Sequence, residues 1–167
     1  MGDLPNESFL KKYADEGAYT DCFYANVPGT VSQTEFVETF YTAWLFRLER
    51  YILCVTVLAY SSDRQARKLA RSEISRFSAW TVEKQDSSQL LLYDRSRRTR
   101  SWLMSKTLTI NGQAYTRLYF GSAIIPVINK KNGKPTLGPF FNALLGFHLM
   151  YSRALLRTCI AKIPSRQ

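Results

Sequence analysis

The chain reads as a single α+β domain: a curved antiparallel sheet, a long C-terminal helix packed across it, and a helical region towards the N-terminus. Three observations predict this. From Pro139 to Ile163, the residues Phe141, Leu144, His148, Tyr151 and Leu155 recur at steps of three and four, so one side of a helix lies against something apolar. The segments before it alternate in the strand period and are joined by short connections, which favour antiparallel hairpins. Finally, 167 residues with 46% hydrophobic and 14% aromatic content suit one domain with a real core. The unit spans residues 1–167, with 1–17 open to being a loosely ordered N-terminal segment.

The first strand is expected over Tyr19 to Val27, stopped by Pro28 and Gly29. A helix then opens at Ser32, whose hydroxyl can accept from the backbone of Glu35 while Glu35 reaches back. Val37, Phe40, Trp44, Leu48, Tyr51 and Val55 carry the helical period for several turns, a length that implies a bend or a break. Ser62 or Asp63 can cap a shorter basic helix running to about Glu73. Strands follow over Arg76 to Lys84, Gln89 to Asp94, Thr99 to Thr107 and Tyr115 to Val127, with Asn111-Gly112 as a hairpin signal. Gly121, in the middle of the last strand, either permits close helix packing or marks a bulge. Asn129 to Gly138 is a polar loop, and Pro139 stands at the first position of the closing helix.

Charge is unevenly spread within a net of +10. Residues 1–60 hold four Lys/Arg against eight Asp/Glu, and residues 61–167 hold nineteen against five. The basic excess gathers at Arg64, Arg67, Lys68 and Arg71, at Arg95, Arg97, Arg98 and Arg100, and at Lys130, Lys131 and Lys134. Such a surface either keeps the protein soluble or attracts nucleic acid or an anionic membrane surface, the latter through Arg95, Arg97, Arg98 and the three lysines. Cys22, Cys54 and Cys159 are odd in number and widely spaced, so they read as reduced thiols and point to a cytoplasmic location. No basic-then-apolar leader opens the sequence, and the apolar run Tyr51 to Tyr60 is about half the length that crosses a bilayer.

Motifs of catalysis are missing. The chain has no G-x-S-x-G elbow, Walker loop or dinucleotide fingerprint, so no cofactor is expected. His148 is the sole histidine and has no ligand-spaced partners, which excludes a persuasive metal site. It serves either as a buried, hydrogen-bonded structural residue or as a polar contact in an apolar pocket beside Tyr151.

Six segments carry a family resemblance: Leu45-Phe-Arg-Leu-Glu-Arg50, Phe77-Ser-Ala-Trp-Thr-Val-Glu83, Gln89-Leu-Leu-Leu92, Thr99-Arg-Ser-Trp-Leu103, Thr116-Arg-Leu-Tyr-Phe-Gly-Ser-Ala123 and Leu144-Leu-Gly-Phe-His148. They resemble an uncharacterised bacterial family of the SRPBCC superfamily, the helix-grip fold shared by START and birch-pollen-allergen-like proteins. That resemblance implies a helix-grip-like curved sheet and a hydrophobic cavity for a lipid- or polyketide-like molecule; a few members of the superfamily catalyse cyclisation or hydrolysis. No catalytic residue is carried over.

Strand alternation then nominates the residues of a pocket. Arg100, Trp102 and Met104 share one strand face, where a guanidinium beside a large ring suits an amphipathic guest with an anionic head. Trp80, Tyr93 and Tyr119 add rings from neighbouring strands, and His148 and Tyr151 face the sheet from the closing helix. The expected function is binding of an apolar or amphipathic small molecule between sheet and C-terminal helix. The alternative is a cyclase- or hydrolase-type enzyme in which His148 or Arg100 polarises a carbonyl in the same pocket.

Overall fold

The computed structural model describes residues 2–47, 61–128, 133, 135–137 and 139–163, and within the last range the side chains of Gly146 and of residues 148–163. The expected helical positions Leu48, Tyr51 and Val55, the Tyr51–Tyr60 run and Cys54 lie outside the described residues, as do Lys130, Lys131 and Lys134.

The protein is α+β. A short helix α1 (Lys11–Asp15) precedes strand β1 (Tyr19–Pro28), followed by helices α2 (Gln33–Thr42) and α3 (Asp63–Ala70). Strands β2 (Arg76–Phe77), β3 (Trp80–Gln85), β4 (Gln89–Asp94), β5 (Thr99–Ile110) and β6 (Gln113–Ile124) come next. A small ribbon, β7 (Val127–Ile128) with β8 (Pro135–Thr136), leads into helix α4 (Pro139–Ile160). The main sheet has six antiparallel strands in the order β1-β6-β5-β4-β3-β2. The first strand of this sheet therefore lies beside its last, β6, and β1 is an edge.

Local chemistry explains the boundaries. Ser32 Oγ accepts from Glu35 N at 3.2 Å, and Ser62 forms a complete capping box with Gln65. Helix α2 ends where Thr42 Oγ1 donates to the Glu38 carbonyl at 2.8 Å and Ala43 turns extended (ψ 146°). This is the expected break, and it changes which rings are buried: Phe46 enters the core while Trp44 is left 65% exposed. The strand expected over Arg76 to Lys84 divides into β2 and β3, because Ser78 takes φ 54° between them. At the β5–β6 hairpin, Asn111 and Gly112 both take positive φ (51° and 77°), the geometry a two-residue turn needs.

Two clusters of side chains flank the sheet. On one face α2, α3 and α4 cover Phe23, Leu90, Leu92, Leu103, Leu118 and Phe120, with Leu155, Leu156 and Cys159 descending from α4. On the other, Leu10 and Tyr13 of the N-terminal segment cover Leu91, Trp102, Met104, Tyr119 and Ala123. Residues 2–17, which the sequence left open to loose order, form a strap packed on the sheet. The strap is tied down by Gln89: its Oε1 accepts from Phe9 N (3.0 Å) and Trp102 Nε1 (2.9 Å), and its Nε2 donates to the Glu7 carbonyl (3.0 Å). A Glu7–Lys106 ion pair at 2.5 Å adds a surface contact, and the hydrogen bond from Lys106 holds the Glu7 carboxyl below its usual range.

Candidate functional site

Where β1, β6 and α4 meet, strand alternation turns Asp21 toward the helix between Tyr19 and Phe23. Its side chain has no exposed surface, so its carboxylate must find donors within the protein. Oδ1 accepts from Ser122 N at 3.0 Å, and Oδ2 accepts from Ser122 Oγ at 2.9 Å. His148 Nε2 lies 3.0 Å from the same Oδ2 and 2.9 Å from Ser122 Oγ. A carboxylate only accepts, so the arrangement closes with the hydrogen on Nε2 directed at Asp21. In a nucleophilic relay the hydroxyl and the carboxylate hold opposite nitrogens of the imidazole. Here both face one nitrogen, and the serine proton points to the aspartate. The three residues fasten α4 to the sheet, and the geometry gives Ser122 no base.

Further along β1 the helix and the strand part. A cleft of about 390 Å³ opens between Phe23, Tyr24 and Ala25 on the strand and Arg153, Leu156, Arg157 and Ile160 on the helix. Its floor is apolar because Phe23, Ala25 and Leu156 belong to the main core or pack against it. Its rim is cationic. Arg153 and Arg157 sit one helical turn apart and exposed, with the Arg153 guanidinium 5.6 Å from the centroid of the Phe23 ring. No carboxylate lines the cleft among the described residues. Deeper in, at the level of Leu155 and Cys159, side chains fill the space between sheet and helix.

The residues nominated from the sequence divide between the two faces of the sheet. Trp80, His148 and Tyr151 lie on the helix side, whereas Tyr93, Arg100, Trp102 and Tyr119 lie on the strap side. Alternation supplied two faces of β5 without saying which one the helices cover; the Leu103 face meets the helical layer, where α2 lies over β5 and α4 packs on β1 and β6. Trp102 is fully buried under Leu10, its indole spent on Gln89. Arg100 is also committed. Its Nε lies 2.5 Å from Glu83 Oε2 and donates to Tyr13 Oη at 3.0 Å, while Nη1 donates to the Arg97 carbonyl at 2.8 Å. Tyr13 Oη in turn donates to Glu83 Oε1. Burial, reinforced by the Glu83 hydrogen bond, raises the Tyr13 phenol above its ordinary value, with Arg100 opposing.

Two cations of the Arg95–Arg98 loop also serve the fold. Arg98 Nη2 donates to the Leu137 carbonyl at 2.9 Å, joining the hairpin to the approach of α4, and Arg97 lies 5.6 Å from the Tyr93 ring. The sequence reading missed Asp21, Ser122, Arg153 and Arg157. A lone acid in an apolar strand, and a basic i,i+4 pair on an otherwise apolar helix, were the available signals.

Among the described residues, no group of three His, Cys, Asp or Glu side chains forms a metal site, and no helix is long and apolar enough to cross a membrane. Comparison with protein-family models, curated proteins and solved structures finds no match to this chain.

Proposed function

We propose that this is a helix-grip-like binding domain that takes an amphipathic small molecule, with an apolar body and an anionic head, between the sheet and the C-terminal helix. The six-stranded antiparallel sheet with a C-terminal helix packed on its β1 and β6 strands supports the architectural part of that reading. One observation carries the functional part: a cleft of about 390 Å³ with an apolar floor and a rim formed by Arg153 and Arg157. Apolar floors drive burial of a hydrocarbon body, and guanidiniums favour a carboxylate or phosphate by charge-assisted hydrogen bonds. The strap-side residues Tyr93, Arg100, Trp102 and Tyr119 contribute through the rigidity of the sheet. His148, with Tyr151 one turn further on, fixes the register of the helix that forms the opposite wall.

Calorimetric titration of the delipidated protein with dodecanoate and with dodecanol tests the reading. Dodecanoate binds more tightly, and replacing both Arg153 and Arg157 by alanine weakens it by roughly tenfold while leaving dodecanol unchanged. Ala25→Phe, which fills the floor, abolishes both. Absence of binding by either compound to a folded protein overturns the proposal.

A further inference from the structure

The outer edge of β1 carries backbone groups that no strand pairs among the described residues. Gly29 N bonds to the Ala114 carbonyl on β6, and the Cys22 carbonyl instead accepts from Gly2 N on the side away from β6. These two bonds fix the parity of the strand: backbone groups of odd-numbered residues face β6, and those of even-numbered residues face outward. Pro28 obeys the same rule, since its missing N–H falls on the outward side. Between the Gly2 contact and Pro28, the outward N–H and C=O groups of Tyr24 and Asn26 have no backbone partner among the described residues. An edge with unpaired ladder groups is a template for another strand.

The surroundings of this window select its occupant. On the strap side, Arg117 lies 4.4 Å from the Tyr24 ring centroid and donates through Nε to Asn26 Oδ1 at 2.7 Å. On the helix side stand Arg153 and Arg157. A strand laid along β1 would send alternate side chains to both sides, and it would meet guanidiniums on each. A second copy of this chain would set the same arginines against one another in a protein of net charge +10, so self-pairing is disfavoured. We infer that the β1 edge at Tyr24 and Asn26 docks an extended acidic segment of a partner protein by strand addition, through four backbone hydrogen bonds and carboxylates on Arg117, Arg153 and Arg157.

The inference rests on backbone geometry and does not need the small-molecule reading. Its test is fluorescence anisotropy with a capped, labelled peptide that alternates glutamate and valine. The controls are a lysine–valine peptide and the glutamate peptide N-methylated at its central residues. The glutamate peptide binds and weakens as salt rises; the lysine peptide and the N-methylated peptide each bind at least about tenfold more weakly. Tyr24→Pro removes an outward N–H that β6 does not use, so it reduces peptide binding by a similar factor while the circular dichroism spectrum is retained. If that variant does not fold, the N-methylated peptide still decides the question. Equal binding of the N-methylated or lysine peptide overturns the inference. Concentration-dependent dimerisation of the unmodified protein that Tyr24→Pro abolishes would also overturn it, by giving the edge to a second copy.

Discussion

At the scale of single residues, the tightest constraint falls on Gly121. A Cβ built there would lie 2.6 Å from the Asp21 carbonyl, 3.0 Å from Leu10 Cδ1 and 3.1 Å from Trp102 Cε3. The first of these neighbours is backbone and cannot step aside, so strap, sheet and indole all meet where a side chain is missing. Gly121→Ala is therefore expected to destabilise the fold by about 2–3 kcal/mol, read as a lower urea midpoint at unchanged slope. The same position illustrates how two adjacent residues divide their duties. Gly121 makes room on the strap side, and Ser122 supplies two hydrogen bonds to Asp21 on the helix side.

At the scale of elements, the N-terminal strap departs most from what composition suggests. Polar residues dominate it, yet Leu10 and Tyr13 are buried and the Gln89 amide closes three hydrogen bonds over it. Gln89→Leu keeps the volume and strips those partners, leaving the buried Trp102 indole without an acceptor. The expected cost is about 1–3 kcal/mol, together with faster hydrogen exchange at the Phe9 amide, measured by NMR. A uniform loss of protection across β5 and β6 instead would show that the strap and sheet open as one unit.

At the scale of the whole molecule, burial leaves a signature in the pH dependence of stability. Desolvation pushes the Cys22 thiol up to about 11, with Asp21 adding to the rise, and Cys159 up to about 12, against an ordinary value of 9. In the unfolded chain these thiols lose their protons first. The stabilisation from keeping them neutral is complete below 9 and declines as pH climbs from there through the folded values, by at most roughly 1.4 kcal/mol per pH unit for each thiol. Tyr13 and Tyr19, both raised by burial, act in the same direction above 10. The urea midpoint is expected to fall between about pH 8 and about pH 10, and Cys159→Ala to flatten that fall. An unchanged slope in the variant would mean that Cys159 ionises freely in the native state.

Local rules written in the sequence determined much of this protein. Alternation, turn chemistry and caps delivered the α+β class, the Asn111-Gly112 hairpin, the helix start at Ser32, a second start at Ser62 or Asp63 that the structure places at Ser62, and a closing helix from Pro139, expected to reach Ile163 and ending at Ile160. They did so because φ/ψ preference and side-chain period act within a few residues. Tertiary structure alone decided which face of β5 meets the helical layer, and so placed Arg100 and Trp102 beneath the strap. It alone brought Asp21, Ser122 and His148 together from three distant segments, and left Arg153 and Arg157 at the rim of a cleft. A strand has two equivalent faces until something covers one of them, and that choice belongs to the energy of the whole packed chain.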